Sequence, residues 1–171
     1  MLLVDNEVCV RDFVVEDIPS KIIWINDPDN HRYLHYQLPL EYDKTLRWFQ
    51  TRNLAMRCDC TIEYEGRPVG LIGLLNFDDF SKKAELYITL GDTQFKRKGI
   101  GYRALQLILD YGFNELDLNK IYLNVDAENV GACRLYEKAG FLCEGFFRED
   151  LMHQGKMIDR KRYAILRRER Q

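Results

Sequence analysis

The chain has 171 residues and a formal net charge of -2, and 46% of its residues are hydrophobic and 30% charged. This length suits one domain, and the proportions are ordinary for a globular protein, which excludes a fibrous or disordered chain. Because the charge is nearly balanced, no overall attraction draws the chain to nucleic acid or to an anionic membrane, and we expect neither as a partner.

The sequence gives no sign of export or of a membrane span. The longest apolar runs, such as residues 71–75, fall far short of the ~20 residues that a bilayer span needs. Asp5 and Glu7 follow the first four residues too closely for a secretory signal. The five cysteines are odd in number and show neither a disulfide framework nor zinc spacing. We therefore expect a cytoplasmic protein with reduced thiols and no bound metal.

The first half of the chain predicts strands around two helices. Residues 8–14 alternate as a strand does, and residues 16–25 carry apolar side chains at helical spacing. An Asp-Pro-Asp-Asn turn ends that helix, and a second helix is predicted over residues 41–55. A strand hairpin then follows, and after it comes a third strand of the meander. These three strands are predicted at residues 58–65, 68–76 and 84–90.

The second half predicts alternating helices and strands. In chain order they are a helix over 99–116, a strand over 120–125, a helix over 129–139, and strands over 141–151 and 156–166. The short helix ends at Gly140, the usual residue for a helix stop. The resulting order predicts a mixed sheet flanked by helices, in the α/β to α+β range, as a single domain over residues 1–171.

The most informative segment, residues 94–104, reads QFKRKGIGYRA. Gly99 and Gly101 fall in the first turn of the predicted helix, directly after three cations. A helix N-terminus presents unpaired N–H groups and a positive dipole end, and glycine lets a ligand approach the backbone closely. The segment therefore predicts a cradle for a pyrophosphate, although a helix start with solvated lysines stays open as the purely structural alternative.

Residues 99–104 also fit the dinucleotide fingerprint G-x-G-x-x-A. In that fold the strand runs almost directly into the first glycine, near the start of the domain. Here the mostly polar residues 94–98 intervene, and a predicted β-meander precedes them. A nicotinamide or flavin site is therefore disfavoured.

Two motifs in this half resemble the GNAT N-acetyltransferase superfamily. Residues 96–101, KRKGIG, are similar to its acetyl-CoA signature Gln/Arg-x-x-Gly-x-Gly/Ala, with Lys96 where Gln or Arg is usual. Residues 129–141, NVGACRLYEKAGF, resemble the family element N-x-x-A-x-x-L-Y-x-K-x-G-F. The resemblance runs from about residue 8 to about residue 165. It is nearest the branch of ribosomal-protein N-terminal, polyamine and amino-sugar acetyltransferases.

The resemblance implies the GNAT fold, with a central, mostly antiparallel sheet, and acetyl-CoA as the donor. It implies that the strand at residues 88–90 splays from residues 120–125, which opens a wedge and frees N–H groups for the thioester oxygen. The residues implied to bind the donor are Ile88, Thr89, Leu90, Lys96, Arg97, Lys98, Gly99, Ile100, Gly101 and Asn129. Asn129 could also serve as a helix N-cap, and the two roles are compatible.

By the same resemblance Tyr136 protonates the departing CoA thiolate, which suits a phenol with a pKa near ~10. A tyrosine that only packs in the core is the alternative. Glu85 resembles a glutamate of the polyamine branch and is the candidate base, directly or through water, against the alternative of a solvated strand glutamate. Asp126 is a weaker candidate base because it adjoins the cofactor motif. The histidines, His31, His35 and His153, form no recognisable catalytic pairing.

The candidate acceptor contacts lie before the second helix. Trp24 and Asn26, followed by Arg32 and Tyr33, resemble the sugar-nucleotide amine acetyltransferases of polysaccharide pathways. The acidic side chains nearby would suit a polycation instead. We therefore expect a small-molecule amine as acceptor, first an amino-sugar nucleotide. A polyamine or a protein N-terminus, including that of a ribosomal protein, are the alternatives, with a non-catalytic acyl-CoA-binding regulator as a remote one. The sequence leaves a homodimer open.

Overall fold

A computed structural model describes residues 1–170 and contains one eight-stranded sheet with four α-helices. The strands are β1 Leu2–Asp5, β2 Val8–Asp12, β3 Arg57–Tyr64, β4 Arg67–Asp78, β5 Lys83–Leu90, β6 Lys120–Asp126, β7 Leu142–His153 and β8 Lys156–Leu166. The helices are α1 Ile18–Asn26, α2 Tyr42–Thr51, α3 Ile100–Asn114 and α4 Val130–Lys138.

The strand order is β1-β2-β3-β4-β5-β6-β8-β7, and every neighbouring pair is antiparallel except β5 with β6. The prediction of a mixed, mostly antiparallel sheet flanked by helices is therefore confirmed. The parallel pair needs a crossover, and α3 supplies it. No helix within residues 1–170 is long and apolar enough to cross a membrane.

The differences from the prediction include one additional strand and several element ends. Strand β1 was not predicted, because its four residues are too few to show an alternation. Helix α2 ends at Thr51 rather than at residue 55, because Asn53 begins a turn in which its carboxamide oxygen accepts from Ala55 N–H. Strand β7 continues to His153, and two register irregularities against β8 disguise its periodicity.

The sheet separates two clusters of buried side chains. Leu71 and Ile72 are neighbours in β4 and therefore point to opposite faces. Ile72 belongs to the larger cluster, with Ile108 of α3 and Tyr136 of α4, whereas Leu71 packs with Trp24 of α1. Helices α3 and α4 thus cover one face of the sheet, and α1 and α2 cover the other.

Candidate active site

The site is built on a split in the sheet. Strands β5 and β6 pair only from Lys83 with Lys120 to Glu85 with Tyr122, and separate beyond that point. Strand β5 stays paired to β4 as far as Leu90, so only the edge that faces β6 is free. Between the separated strands lies a cavity of about 760 Å³, here called the wedge, which Ile88, Thr89 and Leu90 line. This free edge can pair with an extended ligand as an added strand does.

One end of the wedge meets the N-terminus of α3. Gly99 takes a left-handed conformation with φ 77°, and Arg97 does so with φ 65°. A Cβ added at Gly101 would lie 3.5 Å from Leu90 and 3.9 Å from two other side chains, so only ordinary van der Waals contacts bound the space beside it. Lys96 and Arg97 also line the wedge. Cations, unpaired helix N–H groups and an accessible backbone together fit the pyrophosphate cradle that the sequence predicts.

Lys96 forms a hydrogen bond with a residue on the opposite side of the wedge. Its ammonium donates to the side-chain oxygen of Asn30 at 2.7 Å. The amide nitrogen of Asn30 donates to the carbonyl of Trp24 at 3.1 Å and to that of Gly91 at 2.6 Å. Asn30 therefore connects α1, the end of β5 and the cradle, a role that no sequence motif indicates.

Tyr136 lines the wedge from the α3–α4 face. It is 7% exposed, and its ring lies 5.8 Å from that of Phe141. Burial raises the pKa of Tyr136, so the phenol keeps its proton at neutral pH. Its hydroxyl makes no hydrogen bond within residues 1–170, which leaves the proton available to a ligand in the wedge. Asn129 lines the wedge as well and caps α4, accepting from Ala132 N–H at 3.2 Å.

Glu85 lies where β5 and β6 part. Its carboxylate accepts from the amide of Asn76 at 2.9 Å and from that of Asn124 at 3.1 Å. Arg162 donates to the oxygen of Asn124 at 3.1 Å, which fixes the orientation of that amide. Glu85 is therefore an anion held in place at the closed end of the wedge.

A histidine–aspartate pair lies in the same wedge. The Nε2 atom of His35 is 2.7 Å from Oδ1 of Asp126, and both residues line the cavity. Asp126 is 7% exposed. The ring of His153, from β7, lies 4.5 Å from that of His35. The sequence reveals none of this, because His35 and Asp126 are 91 residues apart.

The residues that line the wedge lie within a segment that matches a family model. A model of the acetyltransferase (GNAT) domain matches residues 7–142. The chain belongs to the GNAT acetyltransferase family.

The GNAT relatives that match this chain are named for different acetyl acceptors. Spermidine N(1)-acetyltransferase of Escherichia coli K12 is 36% identical over 124 residues, which are 72% of this chain and 61% of that protein. A Bacillus subtilis protein, YdaF, named provisionally as a ribosomal N-acetyltransferase, is 34% identical over 106 residues, 62% of this chain and 57% of its own length. The chain thus spans less than two thirds of these relatives.

A solved structure extends the likeness over nearly the whole chain. Spermidine N-acetyltransferase of Vibrio cholerae, in complex with CoA and spermine, superposes with a TM-score of 0.88 and 26% sequence identity. The match covers 96% of this chain and 98% of that one. The GNAT fold that the sequence predicts is confirmed.

Most of the predicted donor residues meet in the wedge, and three do not line it. Gly99 has only open space around the position of a side chain, and Ile100 is buried in the core. Lys98 is turned to the ring of Phe95, with its ammonium 4.9 Å from the centroid. These positions shape the start of α3 without adding a side chain to the cavity.

Two of the predicted acceptor residues have other contacts. Trp24 is buried and lies so close to Gly91 that a Cβ there would clash with it. Asn26 exchanges two hydrogen bonds with the backbone of Leu40, at 3.0 and 2.7 Å, and so closes the loop between α1 and α2. Tyr33 does line the wedge, whereas Arg32 lines a neighbouring groove with its guanidinium carbon 5.1 Å from the Tyr33 ring centroid.

Proposed function

We propose that the chain transfers the acetyl group of acetyl-CoA to a primary amine of a polyamine such as spermidine. The observation that carries the choice of acceptor is an acidic groove that opens beside the wedge. The groove has a volume of about 500 Å³ and shares Tyr33 and Asp126 with the wedge. An acceptor lying in it would have one end next to the free edge of β5.

The charges of the groove suit a polycation. Its lining includes the carboxylates of Asp126, Glu128, Glu149 and Asp159 and the cations of Arg32 and Lys156. The carboxylates of Glu128 and Glu149 form no ion pair or hydrogen bond within residues 1–170, so they are available to a ligand. A cleft with an excess of one charge concentrates ligands of the opposite sign.

The two faces of the sheet would supply different parts of the reaction. Val125 packs in the α3–α4 cluster, so Asn124 and Asp126, its neighbours in β6, point to the α1–α2 face. The amine would therefore enter from the face that carries carboxylates, and Tyr136 would protonate the leaving thiolate from the other face. The pKa of Tyr136, raised by burial, favours a proton donor over a phenolate. The carboxylate of Glu85 would attract a cationic group of the acceptor.

The relatives support the polyamine over the amino-sugar nucleotide that the sequence favours. Proteins named for spermidine are among the most similar curated relatives and solved structures. The YdaF match keeps a protein N-terminus as a further alternative.

One observation favours an amino-sugar nucleotide as the second candidate. A smaller cavity, of about 180 Å³, shares Tyr33, His35 and Thr89 with the wedge, and Lys21 and Arg57 also line it. Two cations near the reacting amine would suit the diphosphate of a nucleotide and would oppose a polycation.

An acceptor screen that follows CoA release tests the proposal. We expect acetylation of spermidine, and a Glu128→Gln/Glu149→Gln double variant should raise the KM for spermidine about tenfold, because it removes two charges from the groove. Glu65→Gln, in the exposed β3–β4 turn, is the matched control and should leave the KM unchanged. Turnover of an amino-sugar nucleotide with none of spermidine would overturn the polyamine assignment.

A further inference from the structure

The His35–Asp126 pair has the geometry of a catalytic base. Asp126 accepts from Nε2 of His35 at 2.7 Å, which fixes the proton of a neutral imidazole on that nitrogen. The other nitrogen, Nδ1, then carries a lone pair, and it makes no hydrogen bond within residues 1–170. A carboxylate that orients a histidine in this way is the usual arrangement for a general base.

The pair and Glu85 lie at different levels along the wedge. Extending the parallel register from Glu85 with Tyr122 places Thr89 level with Asp126. At 3.3 Å per residue, Asp126 lies about 13 Å beyond the level of Glu85 along the strand. Thr89 belongs to the free edge of β5, whereas Glu85 lies at the closed end of the wedge. Asp126 also faces α1 and α2, opposite to Tyr136.

We propose that His35, oriented by Asp126, accepts the proton of the acceptor ammonium. The carboxylate of Glu85 binds the acceptor by charge attraction. This inference rests on the acetyltransferase function proposed above. Nδ1 of His35 takes one proton from the ammonium and passes it to solvent. The amine nitrogen then bonds to the acetyl carbon, and the C–S bond breaks. Tyr136 gives its proton to the sulfur and regains one from the nitrogen, so that the reaction releases one proton overall.

Other charged groups surround the imidazole. Asp126 from β6 and His153 from β7 contact it directly. Across the two cavities that His35 lines, the ionisable side chains are Lys21, Asp29, Tyr33, Tyr36, Arg57, Glu85, Tyr87, Lys96, Arg97, Asp126 and Tyr136. A substitution of His35 therefore tests this residue more specifically than a change of pH does. Each variant should be compared with the parent at every pH.

The first test is kinetic. His35→Gln keeps an N–H that can donate to Asp126 and removes the titratable nitrogen. We expect kcat to fall ~10²–10⁴-fold with an unchanged Kd for acetyl-CoA. We also expect the parent's acid limb of the kcat/KM profile, measured over about pH 6 to 9, to be replaced by a limb at higher pH, because without the base only the free amine of the acceptor reacts. His31→Gln, in the same loop and outside the cavities, should keep the parent's limb. Retention of the parent's limb and of kcat within about threefold in His35→Gln would overturn the proposal.

The second test needs no turnover, so it separates failure of this proposal from failure of the proposed function. The chain has three histidines, and single His→Gln variants assign their imidazole nitrogen NMR signals. In the neutral form His35 should carry its proton on Nε2 and leave Nδ1 bare, and Asp126→Asn should weaken this preference. A neutral His35 with its proton on Nδ1 would overturn the proposal. A parent that acetylates no amine, with the expected tautomer, would overturn the proposed function alone.

Discussion

The donor half of the wedge and its acceptor side are built on different principles. The proposed donor half, made of residues 88–90 and the start of α3, uses backbone: a free strand edge, a helix N-terminus and a left-handed glycine at position 99. The acceptor side uses side chains that come from distant parts of the chain, such as His35 with Asp126. A site made of backbone leaves a compact motif in the sequence, whereas a site made of distant side chains leaves none.

The largest effect that would test this comparison is expected at Gly99. A Cβ added at this position would meet no protein atom within 4 Å, so a larger side chain fits, but a carboxylate there would lie at the pyrophosphate cradle. We expect Gly99→Glu to abolish acetyl-CoA binding and to leave the circular-dichroism spectrum native. Calorimetry measures the affinity.

Gly66→Glu is the matched control for this variant. Gly66 has φ 74°, close to the φ of 77° at Gly99, and it also has no atom within 4 Å of an added Cβ. Both variants therefore carry the same left-handed strain, of about 1–2 kcal/mol. Only Gly99 lies at the cradle, so equal donor affinity in the two variants would contradict the backbone-based donor site.

The second-largest effect is expected at Tyr136, the proposed acid. Tyr136→Phe keeps the ring packing against Phe141 and removes the hydroxyl alone. We expect turnover to fall ~10²–10⁴-fold, while the affinity for acetyl-CoA changes little. Tyr163→Phe is the control, because the Tyr163 hydroxyl donates to Glu137 at 2.7 Å and does not line the wedge. Parent-like turnover in Tyr136→Phe would leave the residue as core packing only.

The same contrast explains what the sequence could predict. The strand and helix order follows from periodicity, and the cradle follows from Gly99 and Gly101, because these signals are local. The proposal that Tyr136 is the acid follows from a motif within one helix. The His35–Asp126 pair and the Asn124 amide on Glu85 could not be predicted, because each joins separate elements through the fold.

Trp24 illustrates the opposite case on the acceptor side. An aromatic residue in α1 looks like a platform for a ligand, yet its ring packs against Gly91 at the end of β5. Sequence shows that such a residue is present but not toward which neighbour it turns. Asn26 and Asn30 hold the acceptor loop through two hydrogen bonds each to backbone groups, and such contacts leave no periodic pattern in the sequence.

The third effect is on stability and concerns Lys21, which is 7% exposed. Its ammonium lies 3.5 Å from the centroid of the Trp48 ring and forms no ion pair within residues 1–170. Burial lowers the pKa of Lys21 from 10.5 to about 8. The unfolded chain therefore binds more protons than the folded chain between about pH 8 and pH 10.5, so this residue makes stability rise with pH in that window.

Lys21→Met should remove the free-energy cost of burying the charged ammonium. Below about pH 8 the parent buries a charged lysine, so we expect the variant to gain up to about 3 kcal/mol in free energy of unfolding, less what the contact with Trp48 contributes. The gain should shrink as pH rises from 8 to 10.5. Urea denaturation at several pH values measures it. Lys44→Met, at an ammonium exposed on α2, should show no such gain, and a Lys21→Met gain that stays constant with pH would contradict the buried-charge argument.

The smallest effect is expected at Arg32, and it decides between the two acceptors. Arg32 lines the acidic groove and stacks near Tyr33, so its charge faces whatever lies there. A polyamine is repelled by this guanidinium, so Arg32→Ala should leave the KM for spermidine unchanged or lower it by about threefold or less. A sugar nucleotide would lose a charge-assisted hydrogen bond worth about 1.5–3 kcal/mol, and its KM should rise about tenfold or more.

Arg47→Ala, on the exposed surface of α2, is the control and should change neither KM. The KM for acetyl-CoA should stay constant in both variants, because neither arginine lines the wedge. A KM for spermidine that rises tenfold in Arg32→Ala would mean that the groove recognises the acceptor through its cations, and the order of the two acceptors would be reversed.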